Sequence, residues 1–423
     1  MSSSSSLGYF ERIRVLSRNA KLYLIATAVQ GLGSGIWNVL FFLFLRDAGY
    51  DMGFIGNVFT AGALATGFIG LFAGQVCERF GPKKTVLVGL SANLILLFEV
   101  FVLDSKVLVL ASMVSGLIGT LSWVASAPFM AENSNPKERT YFFSLNWAIM
   151  ILMGVAGSIL GGIMPDIFRS ILHLSLAFEG SIAAYRMSLT VSIALMLVAI
   201  IPVFLVAEAK RVNSCGFMDL LNLRNIRSGR TILKFMIPAG IIGFGAGFIV
   251  PLFNVFFKAR FLATDPQIGT MFALSNVTLG IGTILAPKLS ERFSKARSVV
   301  MCEFISMPFI MLTTLAPNLT LSASAFVMRN ALMNMAGPTN TALQMELVSA
   351  NERGTTNGLM VMSDNVPRAI TASISGAMMT GNDFVTPFAV TTITYFCASV
   401  LFFLFFKDAE KKSSTQYSAL TDE

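Results

Sequence analysis

Charged side chains are scarce in this chain. Asp, Glu, Lys and Arg make up 13% of its 423 residues, where a soluble domain carries roughly a quarter. That shortage excludes a fold wetted on all sides. Histidine is nearly missing too: the single His173 falls in a loop after the fifth apolar segment, which removes imidazole proton chemistry from the interior. The four cysteines, Cys77, Cys215, Cys302 and Cys397, show no metal spacing and read as reduced structural thiols. No glycine-rich phosphate loop ending in Lys-Ser/Thr occurs, so the chain carries no ATPase of its own. Nucleophile constellations and paired catalytic groups are missing as well. The chain therefore reads as no enzyme, with no metal and no cofactor. The polar run Met1 to Ser6 lacks the apolar core of a signal peptide, so the first apolar segment is read as its own signal.

What is abundant is apolar. Hydrophobic residues make up 54% of the chain, Phe alone contributes 37, and the mean hydropathy is +0.70. The apolar residues gather into twelve segments near the length a helix needs to cross about 30 Å of hydrocarbon. They run over 21–45, 53–76, 85–103, 107–131, 140–164, 184–207, 232–257, 266–288, 298–315, 319–346, 355–380 and 384–406. The shorter alternating segments of a β-barrel do not appear. The net charge of +8 reflects sidedness. With the N-terminus inside, only Arg46, Lys106, Arg169, Arg186, Lys258 and Arg260 fall outside, and the many other basic loop residues fall inside. The excess charge thus reports orientation in a lipid bilayer and no nucleic-acid partner. The expected location is the cell membrane, multi-pass, with both termini cytoplasmic. Asn318-Leu-Thr320 formally fits a glycosylation acceptor, but its loop hugs the membrane.

The chain repeats itself. Gly31, Gly33 and Gly35 return as Gly243, Gly245 and Gly247, and Arg46 as Lys258. Ile55-Gly56 returns as Ile268-Gly269, Glu78-Arg79-Phe80 as Glu291-Arg292-Phe293, and Glu132 with Glu138-Arg139 as Glu346 with Glu352-Arg353. An ordered series of matches implies an internal duplication. The organisation read from it is a segment 1–20, a six-helix half 21–207, a polar and basic linker 208–231, a second half 232–406 and a tail 407–423. An even number of spans per half relates the halves by an axis along the membrane normal. The fold class is an all-α membrane protein of twelve transmembrane helices in two pseudo-symmetric six-helix bundles.

After the second span comes Gly74-Gln-Val-Cys-Glu78-Arg79-Phe-Gly81-Pro-Lys83-Lys84. This resembles the signature loop of the major facilitator superfamily, with Glu78 where that family usually has Asp and Pro82 where it usually has a base. The second half keeps Glu291-Arg292-Phe293 with Lys295 and Arg297. Gly81 suits a tight turn, and Gly74 suits a close helix approach. The acid can meet the positive end of a helix from the other half, latching the halves together. The resemblance implies that this helix is the eleventh, starting near Thr355. The loop's bases also serve as inside-positive anchors, and that simpler reading stays open. In the fifth span, Gly154, Gly157, Gly161 and Gly162 flank Ser158, where family antiporters often have proline, so tight packing is the better reading.

Charges at membrane depth are functional candidates by default. Asp364 and Arg368 sit four apart in the eleventh span, on one face. Arg329 lies at similar depth in the tenth, beside Asn330 and Asn334. The three are expected to form one cluster facing a central cavity, or else a neutralising cluster that only fixes packing. Glu99 and Glu303 lie toward span ends, free to reach the interface or pair with a neighbour. Trp37 and Asn38 head the other lining candidates, with Trp123, Asn146, Trp147, Asn254 and Asn276 behind them. Together these point to a secondary transporter, a monomer working by alternating access. It would move a small anionic or zwitterionic organic solute, with Asp364 as a candidate site for a coupling proton. Efflux of hydrophobic or cationic compounds is the alternative within transport. A transporter-like sensor or lipid-handling protein is the alternative outside it.

Overall fold

The computed structural model describes residues 17–134, 136–173, 178–207, 228–349 and 352–407. The described residues are helical and form no strand. That is what lipid requires of a chain that must satisfy its backbone within itself. The first half holds α1 (Arg18–Asp47), α2 (Met52–Phe80), α3 (Pro82–Ser91, a 3-10 turn, then Leu96–Phe101), α4 (Ser105–Glu132), α5 (Pro136–Ile171) and α6 (Phe178–Val198, continued by Ile200–Phe204). The second holds α7 (Gly229–Ile249, a 3-10 turn, then Phe253–Phe261), α8 (Asp265–Phe293), α9 (Lys295–Leu315), α10 (Leu319–Met335 and Gly337–Leu347), α11 (Arg353–Thr380) and α12 (Val385–Phe406). The second half thus begins at Gly229, a few residues ahead of the expected 232, and residues 208–227 of the linker lie outside the described residues.

Among the described residues nine of these spans are apolar and long enough to cross a membrane unaided. The exceptions are α8, α10 and α11, which are expected as apolar segments like the rest. α10 is interrupted after Met335 and α11 is polar, and both carry charges at membrane depth, whereas part of α8 lies outside the residues whose side chains are described.

Side-chain caps start the helices cleanly. Asp51 accepts from the Phe54 amide at 2.7 Å, Asp104 from Lys106 and Val107, and Thr264 with Gln267 closes a capping box on α8. Asn318, the formal glycosylation acceptor, caps α10 through the Leu321 amide at 3.0 Å. The turn between α2 and α3 rests on Gly81 at φ 95°, ψ 146°. Ser294 takes the equivalent place between α8 and α9 at φ 74°, ψ 155°.

The duplication is visible in the packing. Gly31 and Gly35 face α5 at Met150, Met153, Gly154 and Gly157, while Gly33 faces Ser192 and Met196 of α6. Their counterparts repeat the pattern: Gly243 and Gly247 face Asp364, Arg368 and Thr371 of α11, and Gly245 faces Thr394 and Tyr395 of α12. Hydroxyls cross each contact. Ser192 donates to the Gly33 carbonyl at 2.7 Å and Thr391 to that of Gly245 at 2.8 Å. Small residues let these backbones approach where no hydrophobic effect drives association.

The halves meet along α2 with α11 and α5 with α8, and they diverge. Call the face bearing the start of α1 and the end of α12 the terminal face. On the opposite face a Cβ added to Gly56 would lie 2.6 Å from the Ala372 carbonyl, and one on Gly376 2.2 Å from that of Met52. Moving toward the terminal face, Gly67 meets side chains, a Val366 methyl at 3.1 Å and the Asn365 Cβ at 3.9 Å, and Gly70 a Val361 methyl at 3.8 Å. Gly74 meets no described atom within 4 Å. The second pair behaves alike: Gly269 would clash with the Ser158 carbonyl at 2.5 Å, but Gly280 meets only Ile151 at 3.7 Å. Among the described residues no helix makes the close approach expected at Gly74, and the start of α11 opposite it lies largely outside them.

Candidate functional site

In the second half, Asp364 and Arg368 lie one turn apart in the middle of α11. Arg368 Nη2 donates to both carboxylate oxygens at 2.7 Å, and the side chains keep 31% and 22% exposure. The one nitrogen serves both oxygens, and Arg368 Nε has no partner among the described residues. Arg329 does not join this pair as expected. It is 2% exposed, donates Nη2 to the Tyr395 hydroxyl of α12 at 2.8 Å, and lies over the rings of Phe253 and Tyr395. Arg329 is a buried guanidinium balanced by aromatic faces and one phenol, with no ion pair among the described residues. Asn330 turns to Ser275 of α8, and Asn334 to Asn330. No group of three metal-ligating side chains occurs among the described residues.

The first half holds a cavity of about 520 Å³ between α1, α2, α3 and α4. Trp37 and Phe41 stack on one wall at 4.4 Å between centroids, with Phe42 and Phe59 edge-to-face beside them. Trp123 stands on another wall, edge-to-face with Trp147. Asn38 is exposed into this space, and Asn365 of α11 reaches it from the other half. The break in α3 turns Asn93, Leu96 and Glu99 inward together. Glu99 is therefore no interfacial side chain, as its place near the end of the third span suggested. It is 2% exposed and lines the cavity. Glu303 is likewise buried and takes a hydrogen bond from Ser399 of α12. Of the remaining lining candidates, Asn146 accepts from Thr27 at 2.7 Å and Asn254 donates to the Val39 carbonyl at 3.1 Å. The second of these crosses between the halves.

The face opposite the termini is sealed by an ion network that sequence reading missed. Lys258 Nζ of α7 lies 3.0 Å from Asp47 of α1, 3.1 Å from Asp265 of α8 and 2.6 Å from the Tyr185 hydroxyl of α6. Tyr185 donates in turn to Asp265 at 2.5 Å. Asp47 and Tyr185 belong to one half, Lys258 and Asp265 to the other. The signal available was the Asp following Arg46 in the repeat that pairs Arg46 with Lys258. Asn57 with Ser373, and Gly53 with Thr380, add hydrogen bonds across the same seam.

At the terminal face, Lys83 donates to the Val206 carbonyl at 2.6 Å, satisfying the end of α6. Arg79 and Arg292 lie over the adjacent Phe80 and Phe293 rings, and Lys84 is exposed. The side chains of Glu78, Glu291 and Thr355, on which the latch depends, lie outside the described residues.

A polar midspan between two diverging six-helix bundles is the architecture of a solute carrier, and comparison with known proteins agrees. Among solved structures the fold matches a bacterial homologue of the human lysosomal transporter Spinster (13% identity, 91% of this chain and 95% of that one, TM-score 0.70). It also matches the nucleoside transporter NupG (14%, 92% and 98%, 0.71) and a D-xylose–proton symporter (14%, 93% and 97%, 0.68). No curated protein sequence matches the chain. The Major Facilitator Superfamily model matches residues 23–230 and 235–420. The chain is a multi-pass membrane transporter, not an enzyme, and belongs to the major facilitator superfamily.

Proposed function

We propose that the protein is a monomeric secondary active transporter of the cell membrane that moves a small anionic or zwitterionic organic solute by alternating access. The observation that carries this reading is the inequality of the two faces. One is closed by the Lys258 network and by backbone contacts at Gly56 and Gly376, while toward the other the described contacts loosen, to 3.8 Å at Gly70 and 3.7 Å at Gly280. With the termini cytoplasmic, as the positive-inside bias expects, this is a state open to the cytoplasm. The Spinster homologue and a bacterial ferroportin homologue that share the fold are described as inward-facing.

Arg368 supports the solute class. Asp364 engages one of its nitrogens, so the guanidinium keeps N–H donors for a carboxylate or phosphate arriving from the open side. Arg329, held behind Tyr395, tunes that positive field from within the bundle. Asp364 is the proton carrier: protonating it frees Arg368 for the solute. In the opposite state, Glu78 would close on the start of α11 near Thr355 and Glu291 on α5 near Thr140. Glu78→Gln should then slow turnover more than it weakens binding.

Uptake into proteoliposomes from a panel of amino acids, organic acids and organic cations, with and without a pH gradient, tests the reading. Asp364→Asn should abolish gradient-driven accumulation and spare solute exchange, and Arg368→Gln should weaken uptake of anionic solutes. Accumulation of cations alone, untouched by Arg368→Gln, would overturn it.

A further inference from the structure

The carboxylate of Glu99 has no part in the transport cycle proposed for Asp364 and Arg368. Its one hydrogen bond among the described residues comes from Ser115 Oγ to Oε1 at 3.2 Å. The same hydroxyl also lies 3.0 Å from the Ser112 carbonyl, and it has one proton for two acceptors. The other hydroxyls of the cavity are committed to backbone: Thr120 and Thr66 to the Gly116 carbonyl and Ser112 to that of Val58. Arg186 of α6 donates its Nε to the carbonyl of the next residue, Val100, and makes no ion pair with Glu99. A carboxylate buried this deeply is either held neutral by a proton or stabilised by a positive charge beside it. The surrounding side chains supply no such charge, so a cation entering the cavity would meet an otherwise uncompensated acidic group.

The walls restrict what that charge can be. An inorganic cation wants about six oxygen ligands, mostly anionic or carbonyl, whereas this cavity offers one carboxylate and the amides of Asn38, Asn93 and Asn365 among the faces and edges of Trp37, Phe41, Phe42, Phe59 and Trp123. Aromatic faces with one carboxylate are the recognition chemistry of an organic ammonium. The volume of about 520 Å³ falls within the range of small-molecule sites. Asn365, also on the wall, stands three residues before Arg368 on α11, about 60° from it around the helix, which brings the cavity toward the face that carries Arg368. We infer that Glu99 and the aromatic walls around it form a subsite for the ammonium group of the solute, with its hydrocarbon part against Trp37 and Phe41. Resting on the proposed transport function, this narrows the solute to a zwitterion with an anionic end toward Arg368.

Equilibrium binding on the full chain in lipid nanodiscs tests this without requiring transport. All three tryptophans belong to the first half, and Trp37 and Trp123 line the cavity, so intrinsic fluorescence reports occupancy. The probes are 2-phenylethylammonium, its neutral counterpart 2-phenylethanol, phenylacetate and phenylalanine. The ammonium and the zwitterion should bind at least about tenfold more tightly than the alcohol, and Glu99→Gln should erase that preference. Removing a buried charge should leave Glu99→Gln at least as thermally stable as the parent. Gly119→Leu offers a second variant. Only the Ala92 Cβ, at 3.9 Å, lies near a Cβ added there, so the side chain would fill the cavity. It should abolish binding of every aromatic probe. Equal binding of ammonium and alcohol, or full ammonium affinity in Glu99→Gln or Gly119→Leu, would overturn the subsite. Should the subsite fail while Arg368→Gln still weakens uptake of anionic solutes, the anion-transport reading survives it. Ammonium binding without any solute flux would keep the subsite and refute the transport reading.

Discussion

At the scale of single residues, the two copies of the loop motif differ in one informative place. Gly81 and Ser294 adopt nearly the same backbone, φ 95°, ψ 146° against φ 74°, ψ 155°. Only glycine takes that conformation without strain, and other residues held there carry about 1–3 kcal/mol. The second copy has therefore kept the turn geometry after losing the residue suited to it. Ser294→Gly should stabilise the protein by about 1 kcal/mol and Gly81→Ser should destabilise it by a similar amount. Both are read as opposite shifts in thermal unfolding in detergent, and an unchanged or lowered melting temperature for Ser294→Gly would refute the strain. Tyr395 supplies a second case. Its hydroxyl is the only hydrogen-bond partner of the buried Arg329 among the described residues. Tyr395→Phe should cost about 1–3 kcal/mol, the penalty of an unsatisfied buried donor. It should leave ammonium binding at the Glu99 cavity intact, because the two sites sit in different halves.

At the scale of elements, the close contact of α2 with α11 is the hinge line of the molecule. A Cβ on Gly56 has 2.6 Å to the Ala372 carbonyl, and one on Gly70 has 3.8 Å to a methyl. Gly56→Val should therefore pry the sealed face apart, while Gly70→Ala should be silent. Distances between spin labels at Lys106→Cys and Leu262→Cys, both exposed on this face, would report the first as a longer population and the second as none. The duplication was legible in sequence because glycines in identical register, Gly31 to Gly35 and Gly243 to Gly247, do identical packing work in both halves. Asp364 with Arg368 was legible because i,i+4 spacing on one helix needs no tertiary knowledge. Glu99 was misjudged because counting depth along α3 assumes a continuous helix, and the turn at Ala92–Leu94 redirects the rest of the span. No proline announces that break, whereas Pro251 and Pro338 stand at those of α7 and α10. The apolar-length criterion failed on α10 and α11 for a related reason: helices shielded by neighbours can carry polar groups that lipid would not accept.

At the scale of the whole molecule, two bundles built on one plan can rock about the site between them only if each closed face is held weakly enough to open. Lys258 and Asp47 stand 211 residues apart in sequence, so nothing local could announce their pairing. Lys258 faces one carboxylate from each half and a tyrosine hydroxyl, with side-chain exposures of 20% for the lysine, 26% for Asp47 and 11% for Asp265. Partial solvent screening keeps such a contact modest, on the order of 1–2 kcal/mol, which is enough to shift a two-state balance about tenfold. The three ways of breaking it are not equivalent. Lys258→Gln leaves Asp47 and Asp265 facing each other across the seam, turning attraction into repulsion. Asp47→Asn removes one cross-half attraction but leaves Lys258 satisfied by Asp265, and Tyr185→Phe removes only the phenol bridge. Opening of the sealed face should thus rank Lys258→Gln above Asp47→Asn and Tyr185→Phe, measured by the same label pair at Lys106→Cys and Leu262→Cys. The opposite face, labelled at Phe80→Cys and Phe293→Cys, should close in the same order, because rigid halves that part at one end approach at the other. If all three variants left both distances unchanged, the network would be a static surface bridge and the rocking of the halves would have to be governed elsewhere.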